Sequence, residues 1–184
     1  RTAADPAVEA IVAKWQALAA PIANREVARV TADIRRGATR DVEGSLPNLI
    51  ADAQLARTAA NGAQIALMNP GGVRADLVFA SGAAGEGDGA VTYGEMFAVQ
   101  PFGNTLLTMT LTGAQLKTVL EQQYAFRGGS TTESRLTLGV SAGLTFDMAG
   151  YSAPAPTGGT FPGTPGQRIS NIRLNDVPVD PAAS

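Results

Sequence analysis

Three arginines stand in turn-forming sequence, where a guanidinium fork can meet a phosphate or a carboxylate. Arg36 and Arg40 lie four residues apart in a basic connection around Gly37. In a helix or a tight turn both can point at one anion; otherwise they are a solvated charged turn. Arg74 closes the run Asn69-Pro70-Gly71-Gly72-Val73-Arg74. Gly71 and Gly72 permit close backbone approach and unusual dihedrals after a strand, and Asn69 adds a donor and an acceptor. The run reads as a ligand loop or, more simply, as a glycine turn with a solvated arginine. Pro101-Phe102-Gly103-Asn104 sets an aromatic ring between turn formers. If exposed, the Phe102 ring can stack on a base whose edge Asn104 reads; if buried, it plugs the core beneath a loop.

The acidic residues suggest less. Asp76, Glu86 and Asp88 are loosely grouped without the spacing of a metal loop. Gly85-Glu86-Gly87-Asp88-Gly89 lacks the Lys-Ser/Thr pair that follows a phosphate loop. Both read as solvated loop.

What is missing narrows the chemistry further. Among 184 residues there is no His and no Cys. The commonest general base near neutral pH, the commonest zinc ligand, a Ser-His-Asp triad and thiolate chemistry are therefore all absent from this chain. No catalytic residue and no metal site is expected in it. A net charge of −2 with 16% charged residues offers no basic surface for a nucleic acid polymer. No apolar run approaches the roughly 20 residues that span a bilayer. Arg1 to Pro6 do not read as a signal peptide, so any export signal is expected upstream or removed.

The elements that must position these residues alternate between helix and strand periods. Asp5 caps and Pro6 opens a helix whose apolar face is Val8, Ile11, Val12, Trp15, Leu18 and Ile22, with Pro21 at its end. Val27 to Ile34 reads as a strand. A second helix is expected from about Ser45, its cap, to Ala60, with Leu49, Ile50 and Ala53 on the apolar face. Gln64 to Met68 reads as a buried strand. Thr92 with Glu95, and Thr112 with Gln115, have capping-box spacing ahead of short helices. Leu107, Met109 and Leu111 alternate with threonines as in a half-buried strand. Leu136 to Val140, Leu144 to Met148 and Ile169 to Leu174 read as strands, with a long Pro- and Gly-rich loop through Pro154, Pro156, Pro162 and Pro165 between the last two. The expected class is α+β, a single domain of mixed sheets with flanking helices. A connecting helix is expected over 1–24 and the domain over 25–184.

Four ordered blocks carry a resemblance to one family. They are Arg40 followed by Asn48-Leu49-Ile50-Ala51-Asp52-Ala53; Asn69 to Arg74; Pro101 to Asn104 followed by Leu111-Thr112-Gly113; and Leu138 to Leu144 with Asn175-Asp176-Val177-Pro178-Val179-Asp180-Pro181. Together they span roughly Ile34 to Pro181 and resemble the C-terminal domain of 5'-nucleotidases, which includes bacterial UDP-sugar hydrolases. The resemblance implies substrate contacts for Arg40, for Arg36 as in some bacterial members, for Arg74 and for Asn69 in the Gly71-Gly72 loop. It also implies a base-stacking ring at Phe102 and a base contact at Asn104. Pro70 departs from the usual Asn-Gly-Gly start.

By the same resemblance, the ligand is a nucleotide or nucleoside. A metallophosphatase domain of the same polypeptide lies N-terminal and carries two divalent metal ions, so this chain alone is expected to be inactive. The family continues past the Asp-Pro to a Gly-Gly-Asp-Gly-aromatic motif, so the domain is expected to be incomplete at Ser184. Extracellular, periplasmic or cell-surface location is implied as well. Related readings are a cyclic-nucleotide phosphodiesterase/3'-nucleotidase, a UDP-sugar hydrolase, or a non-catalytic module with a vestigial groove.

Overall fold

A computed structural model describes residues 5–82, 85–126, 133–149, 161 and 163–183, the side chains of residues 125 and 126 excepted. They form an α+β fold of helices and small antiparallel sheets, with no closed barrel among the described residues. The chain gathers into two compact units. One comprises Arg1–Arg35 and Arg74–Pro101, the other Arg36–Val73 and Phe102–Ser184.

The first unit opens with α1 (Pro6–Ala23). Asp5 caps it as expected, its carboxylate accepting the Ala7 N–H at 2.8 Å, with Pro6 in the first turn. Pro21 does not end the helix, which continues through Ala23. Its apolar stripe is exposed, with Trp15 at 64%. The strand expected over 27–34 is shorter. β1 (Glu26–Arg29) pairs antiparallel with β3 (Ala90–Thr92), and beyond it Ile34 makes only an isolated bridge to Leu77. Between them Asp33 accepts the Phe79 N–H at 2.8 Å, which, ahead of the Arg35 contact, holds its carboxyl below the ordinary range. α3 (Tyr93–Val99) begins at the capping box foreseen at Thr92 and Glu95. Leu77, Ala90, Val91 and Val99 are buried in this unit.

In the second unit, α2 (Ser45–Thr58) is capped by Gly44, and Ser45 is its first helical residue. The buried face is Leu46, Ile50 and Ala51; of the expected face Ile50 is buried, whereas Leu49 is 45% exposed and Ala53 is exposed. The strand foreseen over 64–68 is only β2 (Leu67–Met68), paired with β6 (Gly139–Val140). Of the strand expected over 136–140 only β6 forms, and ahead of it β5 (Glu133–Arg135) pairs with β4 (Tyr124–Phe126). The strands β7 (Leu144–Met148) and β8 (Ile169–Leu174) match expectation and pair with each other; β9 (Val177–Pro178) adds an edge.

The half-buried strand expected around 107–111 is not formed. Residues 101–110 are exposed and outside any strand, with Leu107 at 77% and Met109 at 74%. Alternation shows that two faces differ, but a strand needs a neighbour for its N–H and C=O groups. α4 (Gly113–Glu121) starts at the second foreseen capping box, Thr112 and Gln115. It buries Leu116 and Leu120 against Tyr124, Leu144, Phe161 and Ile169, the core of this unit. Of the long loop, Pro154, Pro156 and Pro162 lie outside the described residues.

Candidate functional site

Arg36 and Arg40 are both exposed on a loop that closes on its own start. Gly37 turns the chain at φ 95°, and Val42 donates its N–H to the Thr39 carbonyl at 3.3 Å. At the far end, Gly44 sits against the Arg36 backbone so closely that a Cβ there would overlap the Arg36 carbonyl. Only glycine permits that contact, and α2 begins at the next residue. Residues 36–44 thus form a tight turn that carries both arginines. Within the loop, the Thr39 hydroxyl donates to the Asp41 carboxylate.

A strip of chain from Arg135 to Ser141 supports this loop and the glycine turn alike. The Thr137 N–H donates to the Arg40 carbonyl at 2.9 Å. Two residues on, Gly139 and Val140 pair with Met68 and Leu67 of β2, which leads directly into Asn69. Two residues of extended chain span about 7 Å. Helix α2 completes the strip's hydrogen bonds: Asn48 Oδ1 accepts the Val140 N–H and Asp52 Oδ1 accepts the Ala142 N–H at 2.6 Å. Gly139 is required here as well, because a Cβ would overlap the Pro47 backbone.

Pro70, Gly71 and Gly72 form one 3-10 turn that follows Asn69, whose backbone carbonyl accepts the Gly72 N–H at 3.1 Å. Neither glycine has a positive φ, so the unusual dihedrals anticipated for them are not used. Their small size is used instead: a Cβ at Gly72 would press on Met68 Cε and on the Asn69 amide. Asn69 is exposed. Arg74 is exposed and falls in the first unit, where its N–H donates to the Val99 carbonyl at 2.8 Å.

Phe102 is 51% exposed, which decides against the core-plug reading, and Asn104 is exposed two residues later. Asp88 and Glu86 serve their own loop, accepting the Ser81 and Gly82 N–H groups, and Asp76 lies 3.5 Å from Arg35. Among the described residues no three His, Cys, Asp or Glu are grouped to hold a metal ion.

Sequence reading missed a buried polar cluster. Glu133 and Arg168 form an ion pair at 2.7 Å with side chains 4% and 2% exposed. Glu133 also accepts the Phe161 N–H, and Arg168 donates to the Phe161 carbonyl. The Arg168 guanidinium lies 4.7 Å from the Tyr124 ring centre, and that of Arg135 lies 5.1 Å from the Phe161 ring centre. No local pattern announces such a cluster, since its members lie up to 44 residues apart along the chain (Tyr124 to Arg168).

Comparisons with known proteins agree with this architecture. The family model described as "5'-nucleotidase, C-terminal domain" matches residues 21–184. The chain is 45% identical over 94 residues to the trifunctional nucleotide phosphoesterase protein YfkN of Bacillus subtilis, covering 50% of this chain and 6% of that protein. It is 37% identical over 105 residues to the cell wall protein Lmo0130 of Listeria monocytogenes, covering 56% of this chain and 13% of that protein. The crystal structure of a 5'-nucleotidase precursor from Thermus thermophilus superposes with a TM-score of 0.68 at 28% identity, over 96% of this chain and 31% of that one. The chain thus spans less than a third of the length of these relatives. A family match over residues 21–184, on a fold with mixed helices and small sheets, places this chain in the 5'-nucleotidase C-terminal domain family.

Proposed function

We propose that this chain is the nucleotide-binding domain of a nucleotidase-like phosphoesterase, and that it positions the substrate for hydrolysis performed by another domain of the same polypeptide. The observation that carries the reading is Phe102: a phenyl ring 51% exposed, in a loop with exposed Asn104, in a member of this family. An exposed ring on a loop offers a face on which a nucleobase can stack. Arg36 and Arg40 supply guanidinium forks for phosphate or ribose oxygens, and Asn69 of the same unit adds a donor and an acceptor.

This chain's contribution is binding and orientation, which alone can account for a large rate factor. It has no His, and among its described residues no three His, Cys, Asp or Glu are grouped. In this reading, an N-terminal phosphatase domain would hold the metal ions that activate water, and this chain alone would be inactive. The substrate class is a nucleotide phosphoester; which ester is cut is a property of the whole protein. Location outside the cytoplasm goes with the reading and is supported by the cell wall relative and by the precursor form of the solved one.

The test is steady-state kinetics on AMP and a panel of nucleotide esters with full-length protein carrying Phe102→Ala or Arg74→Ala. Loss of one stacked base corresponds to about 1–3 kcal/mol, hence a fall in kcat/KM of roughly five- to hundredfold for Phe102→Ala. If both variants leave the kinetics unchanged across the panel, the chain is a structural module and the reading fails.

A further inference from the structure

We infer that Arg135 and Thr137 are positioning residues for the arginine loop, holding its backbone so that Arg36 and Arg40 present their guanidinium groups to the substrate; this rests on the nucleotide-binding reading above. Arg135 is 3% exposed, and burying a guanidinium is costly unless its donors are used. Two of them are used on a single backbone oxygen: Nε and Nη2 donate to the Asp41 carbonyl at 3.0 and 2.7 Å. The Thr137 hydroxyl donates to the same carbonyl at 2.9 Å, and the Thr137 N–H donates to the carbonyl of Arg40.

Four donors therefore converge on two consecutive carbonyls, those of Arg40 and its neighbour. An exposed turn needs nothing of this kind, because water satisfies such carbonyls at little cost. A turn that must keep two long, exposed, entropy-rich side chains aimed at one place gains from a fixed backbone beneath them. Arg135 is itself fixed from behind. Its guanidinium packs on the Phe161 ring, whose backbone is held by Glu133 and Arg168. The buried cluster and the exposed loop are thus one continuous support, ending at Arg40.

The experiment is steady-state kinetics on AMP with full-length protein, alongside thermal melting, for Arg40→Ala, Arg135→Lys, Thr137→Val and Thr137→Ser. Arg135→Lys keeps the charge on Phe161 but cannot place two N–H groups on one carbonyl. Thr137→Val keeps shape and loses the hydroxyl, which Thr137→Ser restores. The expected result is a KM raised about three- to tenfold in Arg135→Lys and Thr137→Val, with kcat within about twofold and Thr137→Ser close to the parent. If Arg40→Ala raises KM but Arg135→Lys and Thr137→Val do not, the positioning role is wrong while the binding reading stands. If Arg135→Lys and Thr137→Val lower the melting temperature and kcat with KM unmoved, they serve the fold alone and the inference fails. If Arg40→Ala leaves KM unchanged, the loop does not touch substrate, and the inference falls with the reading beneath it.

Discussion

Asn48 accepts the Val140 N–H on its side-chain oxygen at 3.0 Å, so that a helix side chain completes the hydrogen bonding of a strand. One turn further along α2, Asp52 does the same for Ala142. Residues four apart on a helix share a face, and here that face is laid along the strip carrying Gly139. The Asn-Leu-Ile-Ala-Asp block is therefore a docking device for backbone. The Asn48 amide also donates to Glu43 at 2.7 Å, which ties the device to the end of the arginine loop.

Replacing Asn48 by Ala leaves the Val140 N–H without its acceptor and should cost about 1–3 kcal/mol. Leu49→Ala, next to it but 45% exposed, should cost well under that. Denaturant unfolding of the two variants measures the difference. Equal losses would show that the block acts by packing and not by its amide.

Glu133→Gln should be among the most damaging single changes in the second unit. It leaves the Arg168 guanidinium, 2% exposed, without its carboxylate, and breaking a buried pair from one side costs about 3–5 kcal/mol. The double change Glu133→Met with Arg168→Leu should recover part of that loss. A recovery absent from the unfolding midpoints would mean that the pair is valued for its bonds to Phe161 and not for its charge balance.

Burial raises the Tyr124 phenol above its ordinary value, with Arg135 and Arg168 pulling the other way. The folded state thus holds this proton more tightly than the unfolded one. Its contribution is complete below the unfolded value near 10 and is lost as pH rises through the folded one. In an alkaline titration of phenolate absorbance, one of the three tyrosines should ionise later than free tyrosine, and Tyr124→Phe should remove that step. A titration in which all tyrosines ionise together below that point would contradict it.

Local signals were readable where the physics is local. The Asp5 cap and the capping boxes at Thr92 and Thr112 form as their spacing foretells, because each is a contact between residues two or three apart. β7 and β8 form over the residues read as strands. The alternation around Leu107 does not become a strand, since no neighbouring strand exists there among the described residues. The apolar face of α2 was misplaced because Leu49 and Ala53 are as apolar as the residues that are buried, and only the position of the strip around Gly139 decides which side faces in.

The sequence by itself determined the candidate groups and the limits on chemistry. Three arginines in turns, an aromatic ring between Pro101 and Gly103, and the lack of histidine and cysteine are matters of residue type. Tertiary structure alone decided that Phe102 faces solvent, that Gly44 closes the loop under Arg36, and that Arg135 and Thr137 grip the carbonyls beneath Arg40. The contacts of Arg135 and Thr137 join residues more than ninety positions apart, as from Asp41 to Arg135. Side-chain chemistry and short-range spacing are written in the chain order, whereas a donor's choice among distant carbonyls is settled only when packing buries the donor beside them.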